Sequence, residues 1–268
     1  MSTVLTDSTT MLRRNVLRMR RYPSLTLMLI GMPIVFLLLF VYVLGGTLGA
    51  GLPGVEPGGV EPGGGGRGAY LEFVMPGILL MTVAAVAQGT AVSVAMDLHE
   101  GVVARFRTMA IARSSVLTGH VLGAMLQTAL ALVVVSLVGV ALGFRPVLDP
   151  LAWAGAAALL LALAFAVTWL CVALGLVSDS VETASNAPMP LIFLPFLGSG
   201  FVPTESMPGA LRWFADHQPF TATTDAVRDL LLTGSVQGAD VVASLAWSAL
   251  IAALAAWWAV RRYARQDA

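Results

Sequence analysis

Runs of about twenty apolar residues recur along this 268-residue chain with almost no charge inside them. Crossing about 30 Å of hydrocarbon takes roughly 20 residues of α-helix, and a helix satisfies every backbone N–H and C=O where water is absent. Six such segments are read, at approximately 24–46, 73–95, 116–143, 151–177, 187–203 and 240–260. Only 11% of residues are charged while 57% are hydrophobic, and mean hydropathy is +0.85. A soluble domain carries about 25% charged residues, so this chain lacks the polar surface to cover a globule in water. The expected fold is an all-α membrane protein of six transmembrane helices.

Arginine sets the expected orientation. The chain has no lysine, so all 15 basic residues are arginine. Eleven of them lie in the N-terminal segment, the 96–115 loop and the C-terminal tail, and only Arg67, Arg145, Arg212 and Arg228 fall on the other side. Positive charge collects on the cytoplasmic face, so both termini are expected there, in a cell (cytoplasmic) membrane. The wealth of Ala, Gly and Val with no lysine suggests a GC-rich bacterial genome. Trp257, Trp258 and Tyr263 beside Arg261 and Arg262 read as an interfacial anchor.

Several other readings are weighed and set aside. Formal net charge is zero, which points to no nucleic-acid partner. The lone cysteine, Cys171, lies in an apolar run and reads as a small core residue. The first apolar run is longer than the roughly 7–15 residues of a signal peptide core, so it reads as a retained anchor despite the Leu48-Gly49-Ala50 resemblance to a cleavage site. GGGGRG is no phosphate loop, because Walker A needs a lysine. His99, His120 and His217 show no metal-ligand spacing.

Between the spans, residues 1–22 place Met11, Leu12, Val16 and Met19 largely on one side, which suits a cytoplasmic interfacial helix. Residues 47–69, with VEPGG repeated, form a Gly/Pro-rich outer loop. The fifth segment carries Pro188, Pro190 and Pro195 with Gly198 and Gly200 after them, so it is expected to be broken or short. Residues 204–236 are too polar to span. Pro208 and Pro219 sit at helix starts, which predicts an outer hairpin of two short amphipathic helices dipping into the membrane. Glu72 and Arg228, near the outer face, are a candidate gate or hairpin pair.

One stretch stands apart: MDLHEGVVARFRTMAIARSSV, residues 96–116. Burying Arg105, Arg107 and Arg113 would cost about 8–10 kcal/mol in total, against about 0.3–0.6 returned by each Leu, Val or Phe. The stretch therefore stays out of the hydrocarbon. Asp97 is expected to cap a helix there, with Glu100 three residues on. Leu98, Val102, Phe106, Met109 and Ala110 share one face. Such a helix suits lipid headgroups or a groove in a soluble partner equally well.

Three separated motifs resemble the ABC-2 type transporter permeases, and among them the daunorubicin/doxorubicin-resistance efflux permeases. In the first, Asp97, Glu100, Gly101, Arg105, Phe106, Arg107, Ala112, Arg113 and Ser114 match in order. Where that family often has proline after the first basic group, this chain has Ala110 or Ala112. In the second, YLEFVMPGIL, Glu72, Pro76 and Gly77 are in register. In the third, FVPTESMPGALRWFADHQPFTATTDAVRDLLLTG, Pro203, Met207-Pro208, Gln218-Pro219, Arg228 and Gly234 are in place.

The resemblance implies a single ABC-2 (type V exporter-like) transmembrane domain over 1–268 without its own ATPase, and so not an enzyme by itself. Residues 96–115 would be the coupling helix between the second and third spans, with Asp97, Glu100, Gly101, Val102, Arg105, Phe106, Arg107 and Met109 meeting a separate nucleotide-binding subunit. Two copies of that subunit would carry ATP and Mg, this chain binding no cofactor. A second permease, identical or related, would complete the complex. The cargo implied is a hydrophobic drug-like or lipid-like molecule. Gln88, Thr90, Ser93, Gln127 and Thr128 are polar groups at membrane depth and candidates for its path, or alternatively for hydrogen bonds between spans. An ion-coupled carrier would usually need buried Asp or Glu. An intramembrane enzyme would need a catalytic constellation. Neither is visible.

Overall fold

A computed structural model describes residues 23–49, 65–100, 113–235 and 237–265. Helix α1 (Pro23–Leu38) runs through a π-helical turn at Leu39–Leu44 into α2 (Gly45–Gly49). Then come α3 (Gly65–His99), α4 (Arg113–Ala141) and α5 (Pro150–Val177). Two short pieces, α6 (Val181–Asn186) and α7 (Met189–Phe193), lead through turns to an outer pair, α8 (Gly209–His217) and α9 (Pro219–Thr233). Helix α10 (Gly238–Arg265) closes the order.

Five helices among the described residues are long and apolar enough to cross a membrane: Leu27–Gly49, Gly66–His99, Leu117–Ala141, Pro150–Val177 and Gly238–Tyr263. They coincide with five of the six apolar segments. The fifth segment, 187–203, is not a long helix, and its prolines explain why. Pro188 starts α7 as its cap, Pro190 lies in its first turn, and Pro195 falls in the turns that end it. The segment nevertheless travels far. Ser185 accepts a hydrogen bond from Gln88 through its carbonyl, while the Phe201 carbonyl accepts one from Tyr70. Gln88 and Tyr70 lie 18 residues apart on α3, which at 1.5 Å per residue is about 27 Å.

Helix α3 is the central post. Tyr70, Leu71, Val74, Met75, Ile78, Leu79, Leu80, Val83 and Ala84 are all buried in the main core. Small residues set its distance to neighbours. A Cβ on Gly77 would come within 2.5 Å of the Gly200 carbonyl oxygen, and one on Gly175 of α5 within 2.6 Å of the Ala91 carbonyl oxygen. Gly49 against Gly66 and Gly89 against Leu29 likewise fix α1 antiparallel to α3. Cys171 is buried in the same core, as expected.

Outside that core, α1 and α10 are mostly exposed along their spans. Leu27, Val35 and Val43 on the first, and Val242, Leu250 and Leu254 on the last, would stand bare in water, which is sensible only where the solvent is lipid. The α10 anchor is formed, with the Arg261 guanidinium 4.1 Å from the Trp257 ring centroid.

Candidate functional site

A cavity of about 840 Å³ lies between α1, α3, α4 and the α6–α7 pieces. It occupies the half of α3 that runs toward His99. Met28, Met32 and Phe36 form its α1 wall, and Met189, Phe193 and Phe196 close the side of the broken segment. Methionine has three rotatable bonds and a polarizable sulfur, so such walls adapt to differently shaped apolar ligands. Met28 and Met32 are 71% and 52% exposed, so this wall of the cavity is also an outer face of the described residues.

Polar groups are few and gather on two helices. Gln88, Thr90 and Ser93 of α3 and Gln127 of α4 line the cavity together. Sequence reasoning had named all four. Gln88 donates to the Ser185 carbonyl at 2.6 Å and so ties α6 to α3, while the Thr90 hydroxyl returns to the Val86 carbonyl of its own helix. Thr128 does not line the cavity. Its side chain is fully buried with its hydroxyl unpaired.

His120 lines the inner end of the cavity, and its Nε2 lies 3.2 Å from Asp97 Oδ2. This corrects the expected role of Asp97. The residue does not cap a new helix; it sits within the last turns of α3, buried, with its carboxylate on α4. Helix α3 ends at His99, and the Glu100 backbone N–H closes it on Met96. Gly101, Val102, Arg105, Phe106, Arg107 and Met109 lie outside the described residues, as does the 1–22 segment.

Past the opposite end of the cavity stand four phenylalanines. Phe36 and Phe196 line it, and beyond them Phe40 and Phe201 meet at 4.8 Å, with Phe196 and Phe201 stacked at 4.2 Å between centroids. Their sequence positions gave no periodic signal, because Phe40 lies in the π-helical turn and Phe196 in the turns after α7.

The outer pair divides its labour. Helix α8 is strongly amphipathic and leaves Leu211, Trp213 and Phe214 exposed, as expected of a helix resting on lipid. Helix α9 differs from expectation, because Phe220, Thr223, Thr224, Val227 and Leu231 bury it in the core. Pro219 occupies its first turn, whereas Pro208 is the cap of α8.

Arg228 fixes α9 in place. Its Nη1 donates to Asp225 Oδ1 at 2.7 Å, and its Nη2 donates to the carbonyls of Phe73 and Ser199. The Ser199 hydroxyl joins Asp225 at 2.6 Å, and the guanidinium lies 4.3 Å from the Phe73 ring centroid. The expected partner was Glu72. The structure instead brings Arg228 to Asp225 and to the carbonyl of the next residue, Phe73, because Asp225 is three residues away on the same helix. Burial pushes the Asp225 carboxyl above the usual carboxylate range, with Ser199 and then Arg228 opposing it. Burial likewise pulls Arg228 down, against the opposing pull of Asp225.

Comparison with known proteins adds two findings. A family model described as ABC-2 type transporter matches residues 6–232. The chain is also similar to the daunorubicin resistance ABC transporter permease protein DrrB1 of Streptomyces coeruleorubidus. The identity is 30% over 268 residues, covering 100% of this chain and 89% of the relative.

Proposed function

This chain belongs to the ABC-2 type transporter family, and on that footing we propose that it carries hydrophobic, drug-like molecules outward through the cavity between α1, α3, α4 and α7. It is a multi-pass membrane protein and the membrane subunit of an ABC exporter. The supporting observation is the cavity itself, lined by methionine and phenylalanine with six polar residues among them, Gln88, Thr90, Ser93, His120, Gln127 and Ser185. A drug-sized site is a cleft of about 300–1,000 Å³ with an apolar lining and a few placed polar groups.

The chain crosses the membrane six times in this reading. The broken fifth segment makes its crossing as short helices and turns, since it climbs about 27 Å along α3. Both termini are then on one side, and arginine places that side in the cytoplasm. Non-helical backbone at that depth is tolerated because it is packed on protein and lines a cavity.

Energy comes from a separate nucleotide-binding subunit, present twice, acting on two permeases. Residues 96–115 dock on that subunit through the face containing Phe106, with Arg105 and Arg107 pairing to acids. Because α3 runs directly from the cavity wall to His99, a shift of that loop is passed to the residues facing the ligand. Co-expression with an ATP-binding subunit tests this. Phe106→Asp and Arg105→Glu should abolish co-purification and ATP-driven export while the permease remains in the membrane. Undiminished export by both variants would sink the docking role.

A further inference from the structure

We propose that the four phenylalanines beyond the cavity are its outward barrier, and that the polar face of α9 is the latch that holds this barrier shut. The inference rests on the cavity being the transport path and on the arginine-rich side being cytoplasmic.

Met81 is the outermost α3 residue lining the cavity, and Gly77, one turn further out, packs on the Gly200 backbone. Phe36 and Phe196 end the cavity there, and Phe40 and Phe201 stand behind them. The Phe196 and Phe201 rings are stacked with 9° between their planes. Four rings without a polar atom make a constriction that excludes water and polar solutes while they stay together.

Two of the rings sit on the helical run of α1 and its π-helical turn. The other two sit on 194–201, a string of turns rather than a continued helix, so its carbonyls need partners elsewhere. Helix α9 supplies them from one face, where Gln218, Thr221, Asp225 and Arg228 recur at i, i+3, i+7 and i+10. Gln218 Nε2 donates to the Leu194 carbonyl at 3.0 Å, and Arg228 Nη2 donates to the Ser199 carbonyl. The Ser199 hydroxyl donates to Asp225. Gly198 lies so close that a Cβ there would collide with Thr221 Oγ1 and Gln218 Nε2.

Two features let this seam release. The Asp225 side chain is 37% exposed, so water can replace the bonds that break. Gln218 Oε1 and Thr221 Oγ1 are buried without a hydrogen-bond partner among the described residues, so parting the seam hydrates them and offsets part of the loss.

The test places a reporter in the cavity wall, Ser93→Cys, and treats right-side-out vesicles with a charged, membrane-impermeant thiosulfonate. The parent chain, whose single cysteine is the buried Cys171, is the blank and reports any loosening of the core. Leu148→Cys, 96% exposed between α4 and α5, marks the outer face. Position 148 should react fast and position 93 slowly. Phe196→Ala with Phe201→Ala should speed position 93 by about tenfold or more. Arg228→Gln should speed it about tenfold, the population shift expected on losing one charge-assisted hydrogen bond. Ser199→Ala should speed it less, and Phe165→Ala, a ring on α5 outside the cluster, not at all. Cys171 should stay unreactive throughout.

Fast labelling of position 93 behind the unaltered cluster overturns the proposal. So does a rate that neither the phenylalanine nor the latch variants change, or one that rises only together with that of Cys171. If Leu148→Cys does not react from outside, the assumed sidedness is wrong and the barrier falls with it. Ser93→Cys fully modified by a bulky, membrane-permeant maleimide should also lose ATP-driven export. Export that survives removes the cavity from the path, and the transport reading falls with the inference. If modification blocks export but the labelling rates do not follow the cluster, only the inference falls.

Discussion

Replacing Arg228 with glutamine removes the cation that holds the outer pair to α3. The side chain donates to Asp225, Phe73 and Ser199, and glutamine is too short and too poor in donors to replace all three. Breaking a buried ion pair by deleting one member costs about 3–5 kcal/mol, because the remaining charge loses its partner. Asp225 is 37% exposed at its side chain and keeps the Ser199 hydroxyl, so water and Ser199 recover part of the loss. The low end, about 3 kcal/mol, applies. For a chain of this size each kcal/mol lowers the melting temperature by about 2–4 °C, so a fall of roughly 6–12 °C is expected. Thermal unfolding in detergent, read by the fraction remaining monodisperse after heating, measures it. Asp225→Asn alone should cost less, and the double variant less than the sum of the two, since both remove the same bond. A fall under about 2 °C for Arg228→Gln, or strict additivity in the double variant, would refute the reasoning.

Three further outcomes follow from other contacts. Gly77→Val should destabilise the fold by at least about 1–3 kcal/mol, the usual cost of overpacking, because the added Cβ meets the Gly200 backbone rather than a flexible side chain; melting of this variant against Gly31→Val, which has open space, checks it. Gln127→Leu should leave the melting temperature within about 2 °C, since among the described residues the amide has no hydrogen-bond partner, yet raise the KM for export of a ligand with a hydrogen-bonding group several-fold at unchanged basal ATPase. Trp257→Ala should shift the last span relative to the bilayer by removing the ring under Arg261, seen as altered labelling of cysteines placed near its end.

Much of this architecture is legible in the residues because lipid imposes one rule on every span. The apolar runs at 73–95, 116–143, 151–177 and 240–260 became α3, α4, α5 and α10, with α3 running several residues further at both ends and α10 at its C-terminal end. Hydropathy sees only the greasy part of a helix, and a helix runs on into the interface at little cost, so α3 reaches 65–99. That extension is why Asp97 was misread: a carboxylate just past an apolar run looks like a cap, but the helix had not ended. The cavity shows the opposite case. Gln88, Thr90, Ser93 and Gln127 were visible as polar letters at membrane depth, and their meeting across two helices needed only that α3 and α4 pack antiparallel. The phenylalanines at 36, 40, 196 and 201 were not visible, since a π-helical turn and a run of turns have no fixed period to read. Nor was the Asp225–Arg228 pair, because Glu72 was as plausible a partner until α9 was placed.

The most direct measurement is transport in inside-out proteoliposomes containing this permease and an ATP-binding subunit, with a fluorescent hydrophobic drug-like compound outside. The account predicts uptake that needs ATP and the partner subunit together, and that Ser93→Trp abolishes although the complex still assembles and hydrolyses ATP. Uptake by the permease alone, driven by a proton or sodium gradient, would contradict it.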